Sequence, residues 1–384
     1  MSATRNLVFD RARSFVTLLV VAHHAALAYV VYGKFNPGHY DWSTAPIIDD
    51  DKWIGLDLFV LFNDSFFMAL MFLLSGLFVW PALARRGEAG FLRERGRRLG
   101  LPFALVVVFV MPLAYYPSFL MTGSTIGPGE FWLRTLTVGP WPAGPAWFVW
   151  LLLAFDLVAA ALHRWAPGPL ERLGRLGLGA RRRPLRLFAV LLGVGALGWF
   201  AMALPFGAAR WLSFGPFAFQ ASRLLLYLAW FLGGVVLGAG GLERGLLARD
   251  GALRRDWAAW LVAGAAAFVA LVALQRAPAA LDPFAWRIAA GAALVVTCAT
   301  LVFATLALFL RFADRPSNPF DAFTASAYGV YLIHYVFIVW LQYALLDAAL
   351  PGLLKAILVF AGTLALSWGA TAAAREIPLV ARTI

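Results

Sequence analysis

Arg13 and His24 lie eleven residues apart at the start of an apolar run. At 3.6 residues per turn that spacing is close to three whole turns, so both side chains project from one helix face, about 16 Å apart. Thr17 and Val20 fall on the same stripe, so a polar line leads from the membrane surface at Arg13 towards the interior at His24. An ionisable group at that depth faces a cavity or a partner. Its imidazole suits proton removal, while the plainer reading is a packing histidine bonded to a backbone carbonyl. His23 points about 100° round the helix.

A second costly group is Asp64, inside the apolar stretch that begins Gly55-Leu56-Asp57. Spacings of seven and eleven put Asp57, Asp64, Met71 and Ser75 on one face. If this span enters from the outer side, Asp64 lies about 12 Å below its outer end and His24 about 13 Å below the outer end of the first span. A carboxylate beside the imidazole would fix its tautomer and raise its basicity; the alternatives are a structural Asp–His pair or an Asp64 bond to another helix. Near the C-terminal end, Ser326, Tyr328, Tyr331, His334 and Tyr335 occupy one span, with Gly329 allowing close helix approach. His334 is read either as part of the active cavity or as an interhelical packing bond. Thr363, Ser367 and Thr371 recur every four residues as packing contacts. His39 and His163 lie near span ends without a role, and five histidines without HExxH-type spacing suggest no metal site.

The elements that must carry these groups follow from composition. Of 384 residues 62% are hydrophobic and 14% charged, which excludes an ordinary soluble domain. Apolar runs fall at 14–33, 56–80, 99–117, 145–163, 187–205, 223–240, 257–274, 287–310, 325–346 and 353–374, predicting an all-α membrane protein of ten helices in a single domain over 1–384. The first run is too long for a cleaved signal segment and is followed by further spans. The one cysteine, Cys298, lies within an apolar run, so no intrachain disulfide forms.

Orientation comes from the arginines. Arg85, Arg86, Arg93, Arg95, Arg97 and Arg98 follow the second run; Arg164, Arg172, Arg175, Arg181, Arg182, Arg183 and Arg186 follow the fourth. Arg244, Arg249, Arg254 and Arg255 follow the sixth, and Arg311 and Arg315 the eighth. The intervening loops are poor in positive charge: 34–55 carries four aspartates against Lys34 and Lys52, and 118–144 carries Arg134 alone. Both termini are therefore expected in the cytoplasm. The net charge of +12 is this asymmetry, and without an aromatic-interleaved platform it does not indicate nucleic-acid binding. No internal repeat of the transporter kind emerges.

Several stretches together resemble a known family, the bacterial integral-membrane acyltransferases of the acyltransferase 3 type, with the glucan-biosynthesis protein C branch the nearest in appearance. They are Arg13-x10-His24; Phe66 to Gly76; Phe91-Leu92-Arg93-Glu94-Arg95-Gly96-Arg97-Arg98 running on to Phe103; Gly144-Pro145-Ala146-Trp147-Phe148-Val149-Trp150; Trp230-Phe231-Leu232-Gly233; and Tyr328-Gly329-Val330-Tyr331-Leu332-Ile333-His334-Tyr335. The resemblance implies ten helices in the bacterial inner membrane, acyl-CoA as a cytosolic co-substrate with no permanently bound cofactor, and an acceptor hydroxyl outside, often on a glycan. It also implies that Arg13 and His24 are essential. Members with an appended extracytoplasmic esterase-like domain are not matched here.

The resulting expectation is a membrane O-acyltransferase moving an acetyl or succinyl group. His24 acts as general base or transient acyl carrier, with Arg13 and Asp64 as its catalytic companions. Arg13, Arg97 and Arg98 are the candidates for the phosphates of acyl-CoA, and Tyr331, His334 and Trp147 for substrate contact. The rival reading is a proton-coupled transporter using His24, Asp64 and His334.

Overall fold

The chain orders as helices α1 (Leu7–Leu27), α2 (Ile54–Gly76), α3 (Val79–Leu120), α4 (Pro128–Thr137), α5 (Trp147–Trp165), α6 (Pro167–Gly177) and α7 (Pro184–Phe206). A hairpin of β1 (Trp211–Phe214) and β2 (Phe217–Gln220) follows, then α8 (Leu224–Gly240), α9 (Trp257–Gln275), α10 (Pro283–Phe312), α11 (Ala327–Ala344) and α12 (Gly352–Ala374). This computed structural model describes residues 7–276, 282–314, 320–381 and 383; Arg315, counted above with the basic loops, lies outside them.

The protein is an all-α integral membrane protein. Among the described residues nine helices are long and apolar enough to cross a bilayer. Helix α1, 21 residues long, is the tenth long helix, its apolar character diluted by Asp10, Arg11 and Arg13 in its first two turns. The sequence boundaries move in two places. Helix α1 starts seven residues before the expected 14 and stops at Leu27, where the chain turns into the loop that leads to α2. The arginine-rich segment expected as a loop before residue 99 is helical and continuous with the third span, bent at Gly87, whose φ of 66° breaks the helical path. The one sheet among the described residues is the antiparallel hairpin, with Trp211 opposite Gln220 and Gly215 in the turn at φ 58°.

Prolines in α3 dictate part of the packing. Pro102, Pro112 and Pro117 have no N–H to give, so the carbonyls four residues earlier, at Arg98, Val108 and Leu113, lose their helical partners. Each is met by a side chain: Tyr328 Oη donates to Arg98 O at 2.7 Å, Trp132 Nε1 to Val108 O at 2.8 Å, and Trp340 Nε1 to Leu113 O at 3.0 Å. In a bilayer no water would take their place. Helix α3 is thereby pinned to α11 at two levels.

Close packing of α2 on α8 rests on glycine. A Cβ at Gly234 would come within 2.2 Å of Leu73 O, and one at Gly238 within 2.3 Å of Leu77 O. Phe72 closes the centre, with its ring centroid 4.9 Å from Phe148, 5.2 Å from Phe155 and 5.0 Å from Tyr227.

Two buried ion-pair clusters hold the ends. Arg11, 1% exposed, donates to both carboxylate oxygens of Asp321 at 2.6 and 2.7 Å and to the Ala313 carbonyl. Lys355 Nζ, 0% exposed, bonds Asp49 at 2.9 Å and Asp51 at 2.8 Å, tying the loop after α1 to the first turn of α12. That loop and the hairpin cover the mouth of the cavity described next.

Candidate active site

Arg13, Thr17, Val20 and His24 line two cavities in succession along α1. Arg13 and Thr17 border a cavity of about 540 Å³ on the arginine-rich face, while Val20 and His24 border one of about 300 Å³ on the opposite face. Tyr331 borders both, and along α1 the lining passes from one cavity to the other between Thr17 and Val20, a rise of about 4.5 Å.

In the first cavity the Arg13 guanidinium lies 4.4 Å above the Phe78 ring and donates to Leu74 O at 2.9 Å. Asp10 Oδ1 is 3.6 Å from its Nη1. Arg98 and Arg375 share this cavity. Arg97 does not: it is exposed and points away, because Arg95 and Arg98, three residues apart, share the inward face of α3 and Arg97 falls outside it. Arg95 takes the place expected of Arg97. It also pairs at 3.1 Å with Asp156, whose side chain is 0% exposed. The i, i+3 spacing in Arg95-Gly96-Arg97-Arg98 was the available signal for it.

In the second cavity His24 Nδ1 lies 3.3 Å from His334 Nε2, and His334 Nδ1 lies 2.7 Å from the Tyr331 carbonyl oxygen. A carbonyl only accepts, so His334 Nδ1 carries a proton and, in the neutral ring, Nε2 is an acceptor. His24 Nδ1 must then be the donor to it, which leaves His24 Nε2 as a bare lone pair. Gln342 Nε2 donates to His24 O at 3.0 Å and to Ala25 O at 3.3 Å, closing the end of α1 at that position.

His23, expected on another face, borders the same cavity, because the cavity wraps round α1 far enough to reach both rings. It lies against Phe67 at 5.1 Å, and its Nδ1 is buried without a hydrogen-bond partner among the described residues. Asp64 also reaches this cavity, 41% exposed, but the expected carboxylate–imidazole contact with His24 gives way to an ion pair: Asp64 Oδ2 accepts from Arg223 Nη2 at 2.6 Å. Arg223 is 4% exposed and lies 5.0 Å over the Trp199 ring. Sequence reasoning passed over it; its signal is an arginine opening a span on the side otherwise poor in arginine. Beside the cavity mouth, burial raises the Asp41 carboxyl above the usual carboxylate range, partly offset by its backbone hydrogen bond and by His39.

The arrangement offers a positively charged compartment, a second cavity next to it along α1, and an oriented imidazole with a free nitrogen. Residues 6–372 match the acyltransferase 3 family, described as an acyltransferase domain. The chain belongs to this family. It is a membrane acyltransferase. No curated protein and no solved structure matches the chain.

The substrate-contact candidates of the acyltransferase separate into two kinds. Trp147 lines the second cavity, stacked at 5.8 Å on Tyr227 and edge-on to Trp211. Tyr331 forms part of the wall, its hydroxyl donating to Pro145 O at 2.5 Å. His334 lies behind His24, 0% exposed and outside the cavity lining, so its contact is with His24.

Proposed function

We propose that this acyltransferase transfers an acetyl or succinyl group from acyl-CoA to a hydroxyl of an acceptor, a glycan, on the other side of the bacterial cytoplasmic membrane, and that residues 1–384 act as one transmembrane domain. The observation that carries the reading is the chain Tyr331 O···His334···His24, which leaves one bare imidazole nitrogen in the cavity opposite the arginines.

The positive-inside asymmetry supports a cytoplasmic position for the arginine-rich compartment. There Arg13, Arg95 and Arg98 receive the donor's phosphates, the planar guanidinium of Arg13 being fixed by Leu74 O and Phe78. The thioester end extends past Tyr331 to His24. His24 Nε2 takes the acceptor's hydroxyl proton as that oxygen attacks the thioester carbonyl. Collapse of the tetrahedral intermediate forms the ester and expels the coenzyme A thiolate, which takes the proton from the imidazolium. His334 holds the His24 ring and accepts the Nδ1 proton bond throughout. The Asp64–Arg223 pair and Trp147 border the space for the acceptor, an aromatic and hydrogen-bonding wall of the kind a sugar ring can use.

Purified protein given a panel of acyl-CoAs should release coenzyme A thiol with acetyl- or succinyl-CoA once a glycan acceptor is added. Absence of thiol release with every donor, in folded protein, overturns the reading.

A further inference from the structure

Helices α7 and α9 are the two spans least enclosed by protein, with 22% and 17% of their apolar stretches buried. Both therefore face lipid along most of their length. They pack on α10 and leave between them a groove whose floor at the arginine-rich end is aromatic: Phe188, Trp260 and Phe303 have ring centroids 4.9 to 5.3 Å apart. At that end the groove opens into a recess of about 640 Å³ bordered by Arg182, Arg183, Arg186, Asp256, Trp260 and Ala263.

Charge in this recess is unbalanced. Asp256 is engaged by its neighbour, with Arg255 Nε 2.8 Å from Oδ1 and Nη2 3.1 Å from Oδ2. Arg181 is paired with Asp250 outside the recess. Arg182, Arg183 and Arg186 make no ion pair among the described residues, and all three are exposed. Positive-inside placement accounts for arginine in this loop, but not for three arginines bordering one concave, apolar-walled recess. Apolar side chains complete the recess: Leu185, 67% exposed, Pro184, Ala259 and Ala263.

We propose that this recess binds an anionic glycerophospholipid of the same leaflet. Its headgroup phosphate lies among Arg182, Arg183 and Arg186, and an acyl chain descends between α7 and α9 along Trp260. A guanidinium cluster at the depth of the headgroups matches phosphate geometry, and each arginine there adds attraction to an anionic lipid that a zwitterionic one does not receive. The site is remote from both cavities along α1 and does not depend on the acyl-transfer reading.

Native mass spectrometry of the detergent-purified protein tests this with phosphatidylglycerol, phosphatidylcholine and inorganic phosphate as probes. Phosphatidylglycerol should be retained at least tenfold more tightly than phosphatidylcholine. The triple variant Arg182→Gln/Arg183→Gln/Arg186→Gln should lose that preference, while Arg164→Gln/Arg172→Gln/Arg175→Gln, with the same loss of charge elsewhere on this face, should keep it. Ala263→Phe fills the groove without touching charge and should also weaken retention, which keeps the test decisive if the triple variant does not fold. Equal retention of the two lipids overturns the proposal, as does equal loss in both triple variants. Displacement of phosphatidylglycerol by inorganic phosphate at matched concentration would mark a soluble-anion site and overturn it too.

Discussion

His24 and His334, 310 residues apart in the chain, meet ring to ring with 3.3 Å between Nδ1 and Nε2. Because His334 is anchored by a backbone carbonyl, the pair has a direction, and of the two rings it is His24, at the cavity wall, whose lone pair stays outside the pair. His334→Ala should therefore lower turnover by about tenfold to a hundredfold while leaving the donor's KM unchanged, since it acts through His24. A matching rise in donor KM would show that His334 contacts substrate instead.

His24→Ala should reduce turnover by about a hundredfold or more, the usual size of a general-base contribution, with donor binding preserved. His23→Ala should cost less than tenfold: its ring shares the cavity, but no carbonyl or second imidazole fixes its tautomer. Protonation of the pair consumes the lone pair on His24, so transfer should fall as pH is lowered and level off above the titration. A rate that rises in acid would reverse the assigned direction of proton flow.

Along α3, neighbouring arginines should behave differently. Arg98→Gln should raise the donor's KM and Arg97→Gln should not, because only Arg98 borders the compartment with Arg13. Arg13→Lys keeps the charge but loses the planar fork, so it should also raise KM with kcat little changed. Equal effects at 97 and 98, measured by initial rates against acyl-CoA concentration, would remove the donor site from this face of α3.

At the opposite end, Lys355→Met strands Asp49 beside an apolar side chain and should cost about 3–5 kcal/mol, seen as a lower melting temperature. Adding Asp49→Asn and Asp51→Asn should restore much of it. Failure of that rescue would mean the loop is held by something other than the ion cluster.

Topology is testable with the single native cysteine in place, since Cys298 is buried. Cysteines at Gly179 and Gly129, both exposed, should react with impermeant reagents from opposite sides of the membrane. Reaction of both from one side would contradict ten crossings.

The order of the spans, nine of them long and apolar enough to cross a bilayer among the described residues, and the Arg13–His24 stripe were legible because each depends on local hydrophobicity or on the 3.6-residue period. What was not legible depends on contacts between distant helices. The partner of Asp64 is Arg223, 159 residues away, and nothing in either span's spacing names it. His334 could be seen as a buried polar group, yet its role behind His24 needed the crossing of α1 and α11. Residues 81–98 looked like a loop because of their charge, whereas a helix can leave the membrane and continue with arginines on its surface. Which side chains meet the carbonyls freed by Pro102, Pro112 and Pro117 was decided by the fold.

The spacing of Arg13 and His24 also acts as a ruler. Eleven residues at 1.5 Å each set a rise of about 16 Å along α1 between Arg13 and His24. Under the proposed function a donor would be selected by reach as well as by charge: an acyl group on a stub shorter than that span would not occupy both ends at once. Deleting one residue between Thr17 and His24 shortens the rule by only about 1.5 Å but swings His24 about 100° off the stripe, so the calibration tolerates error in length far better than error in angle.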